Sequence, residues 1–338
     1  MKIKVLVTSS RIPSIGIEIL KKYCEVEVYR GEKLLSKTEL KKLIRDKDAV
    51  LCQHIDKFDK EILDCAENLK VIGTCTAGYD NIDIGEATRR GIYVVYSPVE
   101  SGVGETTAEF TWTLILACAR RVVEADRFVR SGRWVTWSPD LFLGTEIRGK
   151  ILGIIGLGRI GMNVARIAKC FNMKVLYYDV VRFPEKEKEL EISYCPLDEL
   201  LKNSDFVSLH VPLTKETYHL IGMEQLKLMK PTAFLINVSR GPVVDEKALV
   251  KALKEKWIAG AALDVFEKEP VGRKNPLLKF SNVVLTPHIG GAAKETREKM
   301  VETTATYLIQ VLKGEQPKFL ANPEVMEVRP ISAVKIIP

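Results

Sequence analysis

The chain has 338 residues, 46% hydrophobic and 28% charged, with no low-complexity tract, which allows two domains with full cores and excludes a disordered or fibrous protein. Its net charge of +7 is modest for this length. The basic residues are interleaved with glutamate along helices such as KALVKALKEKW, the pattern of solvated helix faces rather than of a nucleic-acid surface.

The opening MKIKVLVTSS reads as a strand and not as a signal peptide, because its apolar run is too short and no small-residue cleavage site follows. Over the first 100 residues the runs KVLVTSS, EVEVY, AVLCQ, VIGTCT and IYVVYS alternate with the helical segments GIEILKKY, KTELKKLI, KEILDCA and IGEATRRG. Such alternation predicts a parallel sheet with helices on both faces, hence one complete α/β domain. SPVESGVGETTAEF, with Gly102 and Gly104 and no apolar periodicity, marks a connection. Beyond it the spacing predicts one long helix from about Glu105 to Ser131, whose stripe FTWTLILACA is expected to bury against a second copy of the chain. The apolar run Phe110–Ala119 is about half of what a membrane span needs.

Lys150 to Asp179, KILGIIGLGRIGMNVARIAKCFNMKVLYYD, is a βαβ unit around which the rest is organised. Gly156, Gly158 and Gly161 stand in GxGxxG spacing: the first for a tight turn, the second for backbone approach to a pyrophosphate, the third for close helix packing. The pyrophosphate would rest on the helix N-terminus, beside Arg159 and Ile160, where N–H groups and the helix dipole favour an anion. Asp179, ending the second strand, suits the ribose hydroxyls and repels a 2′-phosphate, so NAD (NADH) is expected over NADP. Arg182 lies close by and is the residue type that would hold a 2′-phosphate.

From Lys150 the strand runs ILGIIG, KVLYYD, DFVSLHVP, AFLINVS, GAALDVF and NVVLTP alternate with helices, six parallel strands of a doubly wound nucleotide domain. A further amphipathic helix, about Lys294 to Leu312, has no strand left to pair with and is expected to return to the N-terminal domain. The tail NPEVMEVRPISAVKIIP has an apolar end that suggests a packed segment rather than a floating one. The expected organisation is a substrate domain of residues 1–100 and 292–338 with a dinucleotide-binding domain of 101–291 inserted in it, and a cleft between them. The seven cysteines, Cys24, Cys52, Cys65, Cys75, Cys118, Cys170 and Cys195, are scattered and never in CxxC spacing, so neither a disulfide framework nor a metal site is implied. A soluble cytoplasmic protein is expected.

Ligands in such sheets bind outside the carboxyl ends of the strands. Arg240 follows AFLINVS, Glu269 lies just past GAALDVF, and His288 follows NVVLTP. Each has a bland explanation alone; the three together facing one nicotinamide suit hydride transfer between NADH and a carbonyl. Negative charge developing on the carbonyl oxygen calls for a proton, and histidine is the side-chain type that ordinarily titrates near neutrality. A carboxylate beside it fixes the tautomer, and an arginine clamps a substrate carboxylate bidentately. The set predicts a reductase or dehydrogenase for a 2-keto or 2-hydroxy acid.

From about Lys2 to Asn322 the chain resembles the D-isomer-specific 2-hydroxyacid dehydrogenases, through TAGYDNID, TAEF, FVRSG, GIIGLGRIG, the PLT-x-ET run, LMKPTAFLINVSRGPVVDE, GAALDVFEKEP and LTPHIGG. The resemblance implies a Rossmann domain inserted in a flavodoxin-like domain, with Arg240 binding substrate, Glu269 as acid partner and His288 as proton donor or acceptor. It further implies that Asp264 holds the nicotinamide carboxamide and that backbone N–H groups around Ala77 and Gly78 hold the substrate carboxylate. By the same resemblance Thr107, His210, Pro212, Thr217, Asn237, Ser239 and Gly290 line the cofactor site, and the chain forms a homodimer. Among members it looks closest to glyoxylate and hydroxypyruvate reductases, in GYDNIDI, in ARRVVEADRFVRSG and in Trp137 of VTWSPDLFLG, which in such enzymes reaches across from the partner subunit towards the substrate.

Three features depart from that pattern. Asp179 stands where some of the NADP-using reductases lack an acid, ESGVGETTAEF is longer than usual, and LCQHIDKF offers Gln53 and His54 instead of the arginine of 3-phosphoglycerate dehydrogenases. Phosphoglycerate and D-lactate dehydrogenases are the alternatives of the same class. NAD-dependent corepressors, which keep the fold and even the three residues, are the alternative of another class; their mark, long disordered extensions, is not seen in this sequence.

Overall fold

The computed structural model describes residues 3–337. They divide into two compact units, one running to Val103 and resuming at Ala292, the other Gly104–Gly291.

In the first unit β1 (Lys4–Val7), β2 (Glu25–Val28), β3 (Ala49–Cys52), β4 (Val71–Thr74) and β5 (Tyr93–Tyr96) pair in parallel in the order β2-β1-β3-β4-β5, the flavodoxin-like arrangement. The sequence explains the places. AVLC and VIGT are buried at every position, as inner strands covered on both faces must be. EVEV alternates glutamate with valine, which fits the edge that β2 occupies. Helices α1 (Ser14–Lys21), α2 (Lys37–Leu43), α3 (Lys60–Leu63) and α4 (Ile84–Arg89) complete the alternation.

The second unit takes all but the first residue of α5 (Val103–Ala119), then α6 (Val122–Arg130), and continues through β6 (Ile151–Ile155), α7 (Arg159–Cys170), β7 (Lys174–Tyr178), α8 (Pro184–Leu190) and β8 (Ser193–Tyr194). Then follow α9 (Leu197–Asn203), β9 (Phe206–Leu209), α10 (Met223–Leu228), β10 (Phe234–Asn237), α11 (Glu246–Lys254), β11 (Gly260–Leu263) and β12 (Val283–Leu285). All seven strands are parallel, in the order β12-β11-β10-β9-β6-β7-β8. The order reverses between β6 and β9, and that switch point is where a doubly wound sheet opens a crevice for a ligand. The seventh strand, β8, escapes sequence reading because two residues give no periodicity.

The chain then returns to the first unit as α12 (Lys294–Leu312), which packs on α1 and over β4, with Met300, Val301, Ala305 and Leu308 buried. The tail after it, including α13 (Val325–Val328), is packed down: Val325, Val334 and Ile337 are buried. Asn322 fixes it, accepting from Val94 N at 2.9 Å and donating to Ile92 O at 2.9 Å and Thr88 Oγ1 at 3.0 Å.

The single helix expected over 105–131 is two. α5 ends because the returning chain captures its last carbonyl: Thr145 N donates to Ala119 O at 2.7 Å, the acceptor that a continuing helix would have used itself. Gly144 permits the approach, since a Cβ there would lie 2.4 Å from the same oxygen. Arg121 then starts α6 in the left-handed region at φ 52°. The stripe on α5 is also spent differently from the expectation, for Ala108, Trp112, Ile115 and Cys118 are core of their own unit.

Candidate active site

The glycine loop follows β6. Gly156 turns at φ 93°, where a Cβ would lie 2.8 Å from His210 O, so the turn needs both the conformation and the space that glycine gives. Gly161 lets α7 sit on that turn, since a Cβ there would be 2.2 Å from Gly156 O. Gly158 is the N-cap of α7, has no side chain to cap the first turn, and faces open space, with nothing within 4 Å of a Cβ. The first N–H groups of α7 thus have no side-chain cap and the backbone beside them is open to approach, the condition a pyrophosphate requires. Ile160 packs inward, and Arg159 pairs with Glu105 at 2.9 Å.

Asp179 closes the nucleotide side. Its Oδ2 accepts from Leu157 N at 2.7 Å and its Oδ1 from Val181 N at 3.3 Å, which ties the acid to the glycine loop itself. An ionised carboxylate only accepts, so it matches ribose hydroxyls and repels a phosphate at that place. These residues therefore fit a dinucleotide.

Along the next strand, Thr217 Oγ1 donates to Pro212 O at 2.6 Å and fastens the turn after β9. His210 shares a 2.8 Å hydrogen bond with Ser208 Oγ through Nε2, and burial pushes its pKa down to about 3. The imidazole is therefore neutral in the folded chain and takes up a proton in the unfolded one as pH falls below the ordinary histidine range. Stability from this group is complete above about pH 6.5 and is lost as pH falls from there towards the folded value. His210→Gln keeps a partner for Ser208 without that penalty. Between pH 7 and pH 5 its disadvantage relative to the parent, measured by urea unfolding, should shrink by about 2 kcal/mol; an unchanged gap would show that the ring is not buried neutral.

The remaining groups lie at the carboxyl ends of β10, β11 and β12. Asn237 organises the loop after β10: its Nδ2 donates to Arg240 O at 2.9 Å, and its Oδ1 accepts from Ser239 N at 3.0 Å and Ser239 Oγ at 2.9 Å. Arg240 Nη1 donates to Ser239 O at 2.9 Å. Gly241 sits so tightly on the loop after β11 that a Cβ would fall 1.9 Å from Phe266 O, which brings the arginine loop and the Glu269 loop together.

His288 and Glu269 meet directly, with Nδ1 and Oε2 2.7 Å apart. The other carboxylate oxygen, Oε1, accepts from Phe266 N at 3.0 Å, so the acid is fixed at both ends. His288 has φ 55°, a left-handed conformation costly for a branched or bulky residue. Asp264 holds it there. Only 1% exposed, it accepts from Thr286 Oγ1 at 2.7 Å, Ile289 N at 2.8 Å and Gly290 N at 2.7 Å, while its backbone oxygen accepts His288 N at 2.8 Å. Gly290 in turn packs against Thr107 of α5, 3.5 Å from its Cγ2 to a Cβ position.

Asp264, which the resemblance places on the nicotinamide carboxamide, is seen here anchoring the histidine turn, a role whose signal in the sequence is an acid ending an otherwise apolar strand. Sequence reading misses Glu105 and Gly241 because each acts through a neighbour distant in sequence, and Ser208 because its role is only to hold the ring of His210, two positions on. Three expected residues stand on other segments of the chain. Ala77 and Gly78 belong to the first unit, in the loop after β4, where Thr76 Oγ1 donates to Gly78 O at 2.8 Å. Trp137 stands 72% exposed on the arm that follows α6.

A doubly wound domain with a dinucleotide cradle at its switch point and an imidazole–carboxylate pair on later strand ends defines a nicotinamide-dependent dehydrogenase. The chain belongs to the D-isomer-specific 2-hydroxyacid dehydrogenases: residues 112–290 match the family's NAD-binding domain. It is 53% identical over 330 residues to the glyoxylate reductase of Thermofilum pendens, with 97% of each chain covered. Among solved structures it resembles the TT0316 protein of Thermus thermophilus, at 41% identity and TM-score 0.88, covering 94% of this chain and 100% of that one. It also resembles the D-lactate dehydrogenase of Aquifex aeolicus complexed with NAD and lactic acid, at 32% identity and TM-score 0.80, covering 92% and 96%. It is thus an NAD(H)-dependent oxidoreductase of 2-hydroxy acids. Among the described residues no helix is long and apolar enough to cross a membrane.

Proposed function

We propose that the chain reduces a small 2-keto acid, glyoxylate or hydroxypyruvate, to the 2-hydroxy acid with NADH. The observation that carries the reading is the 2.7 Å contact between His288 Nδ1 and Glu269 Oε2, with Glu269 held by Phe266 N–H. Nδ1 is committed to the carboxylate, so Nε2 is the nitrogen that gives a proton to the carbonyl oxygen, and Glu269 steadies the imidazolium in the reverse direction. Arg240 clamps the substrate carboxylate and polarises the adjacent carbonyl. Bound NADH supplies the hydride. Gly158 to Gly161 would hold its pyrophosphate and Asp179 its adenosine ribose, which would favour NADH over NADPH. The 53% identity to a glyoxylate reductase over nearly the whole chain supports the choice of substrate class.

The protein acts in this reading as a cytoplasmic homodimer. α6 and the arm after it expose Val122, Val129, Trp134, Val135, Trp137 and Leu143, more apolar surface in one stretch than a monomer ordinarily leaves in water. A second copy is the occupant we infer, with Trp137 reaching the partner's site; sedimentation as a monomer would remove that part.

The test is a steady-state panel of glyoxylate, hydroxypyruvate, pyruvate, phenylpyruvate and 3-phosphohydroxypyruvate, each with NADH and NADPH. Glyoxylate or hydroxypyruvate with NADH should give the highest kcat/KM. Preference for the phosphorylated acid would transfer the chain to the phosphoglycerate branch, and no turnover with any of them would favour a binding protein.

A further inference from the structure

Arg182 stands three residues beyond Asp179, in the loop that follows β7, and an arginine near this place is what accommodates a 2′-phosphate in NADP-dependent relatives of the fold. Here the guanidinium is already engaged. Its Nε donates to Glu187 Oε1 at 2.8 Å and its Nη2 to Glu187 Oε2 at 2.9 Å, a bidentate fork, and the plane lies 5.7 Å from the Tyr194 ring centre.

Glu187 is itself fixed. Its side chain is only 15% exposed and Oε1 accepts from Tyr177 Oη at 2.8 Å, while the same Tyr177 oxygen accepts from Phe183 N at 2.8 Å. The network thus runs from β7, through the loop, to the first turns of α8. The Arg182 fork holds the Glu187 carboxyl below the usual carboxylate range.

We propose that Glu187 is a second determinant of cofactor choice: acting through Arg182, it keeps the guanidinium folded back on α8 and withholds the cation a 2′-phosphate would need. Asp179 repels the phosphate, and Glu187 denies it a partner. The inference rests on Asp179 facing the adenosine ribose, as proposed above. Isolated surface ion pairs hold little energy, but a bidentate fork on a mostly buried, tyrosine-anchored carboxylate is the geometry in which such a pair persists.

The experiment measures NADH and NADPH dissociation constants by fluorescence titration of the intact protein, for the parent and for three cumulative variants. Asp179→Ala tests the ribose reading by itself: the NADPH-to-NADH affinity ratio should rise, and an unchanged ratio would sink that reading alone. Adding Glu187→Gln should tighten NADPH by about a further tenfold, the worth of one charge-assisted contact, with NADH affinity unchanged as the control for folding. Adding Arg182→Ala should erase that gain, which a merely structural role for Glu187 would not predict. The gain should also shrink as salt is raised. No tightening on Glu187→Gln, or a gain that survives Arg182→Ala, overturns the proposal.

Discussion

His288→Ala is expected to lower kcat by about 10³-fold, the usual worth of a positioned general acid, while NADH binds within about twofold of its parent affinity. The separation follows from the architecture. The imidazole sits on the turn after β12, bonded to Glu269, whereas the glycine loop and Asp179 follow β6 and β7 of the same sheet. Turnover near the parent rate would remove His288 from proton transfer. A loss of NADH binding as well would show that the turn had collapsed, which Asp264 argues against, because its contacts to Thr286, Ile289 and Gly290 do not involve the ring.

Arg240→Ala should lower kcat/KM on the order of 10³-fold, since it removes two charge-assisted hydrogen bonds to the carboxylate and the charge that polarises the carbonyl. Arg240→Lys should recover only part, because a point charge does not reproduce the planar fork. Both effects should be absent from NADH affinity. An unchanged kcat/KM in Arg240→Ala would place the clamp elsewhere.

The parts of this picture legible in the sequence are those encoded locally. AVLC and VIGT announce inner strands and EVEV an edge; GIIGLGRIG announces its turn, cradle and helix contact, each of which Gly156, Gly158 and Gly161 supply. Strand ends could be read from the apolar runs, so Arg240, Glu269 and His288 could be named. What was not legible depends on partners far along the chain. Nothing near Ala119 says that Thr145 N–H will take its carbonyl and divide the helix, and nothing near Asn322 says that it will bind the backbone of β5. Arg182 carried the opposite lesson. As a residue type beside Asp179 it suits a 2′-phosphate, yet Glu187, five positions on and mostly buried, already holds its Nε and Nη2.

The central claim is that this chain moves hydrogen from NADH to the carbonyl carbon of a small 2-keto acid. Incubating the protein with glyoxylate and NADH deuterated on both positions of the reactive ring carbon tests it directly. Mass spectrometry should find glycolate carrying one deuterium at its carbinol carbon, and His288→Ala should form it about 10³-fold more slowly. Recovery of glyoxylate and NADH unchanged, or glycolate without deuterium, would contradict the account.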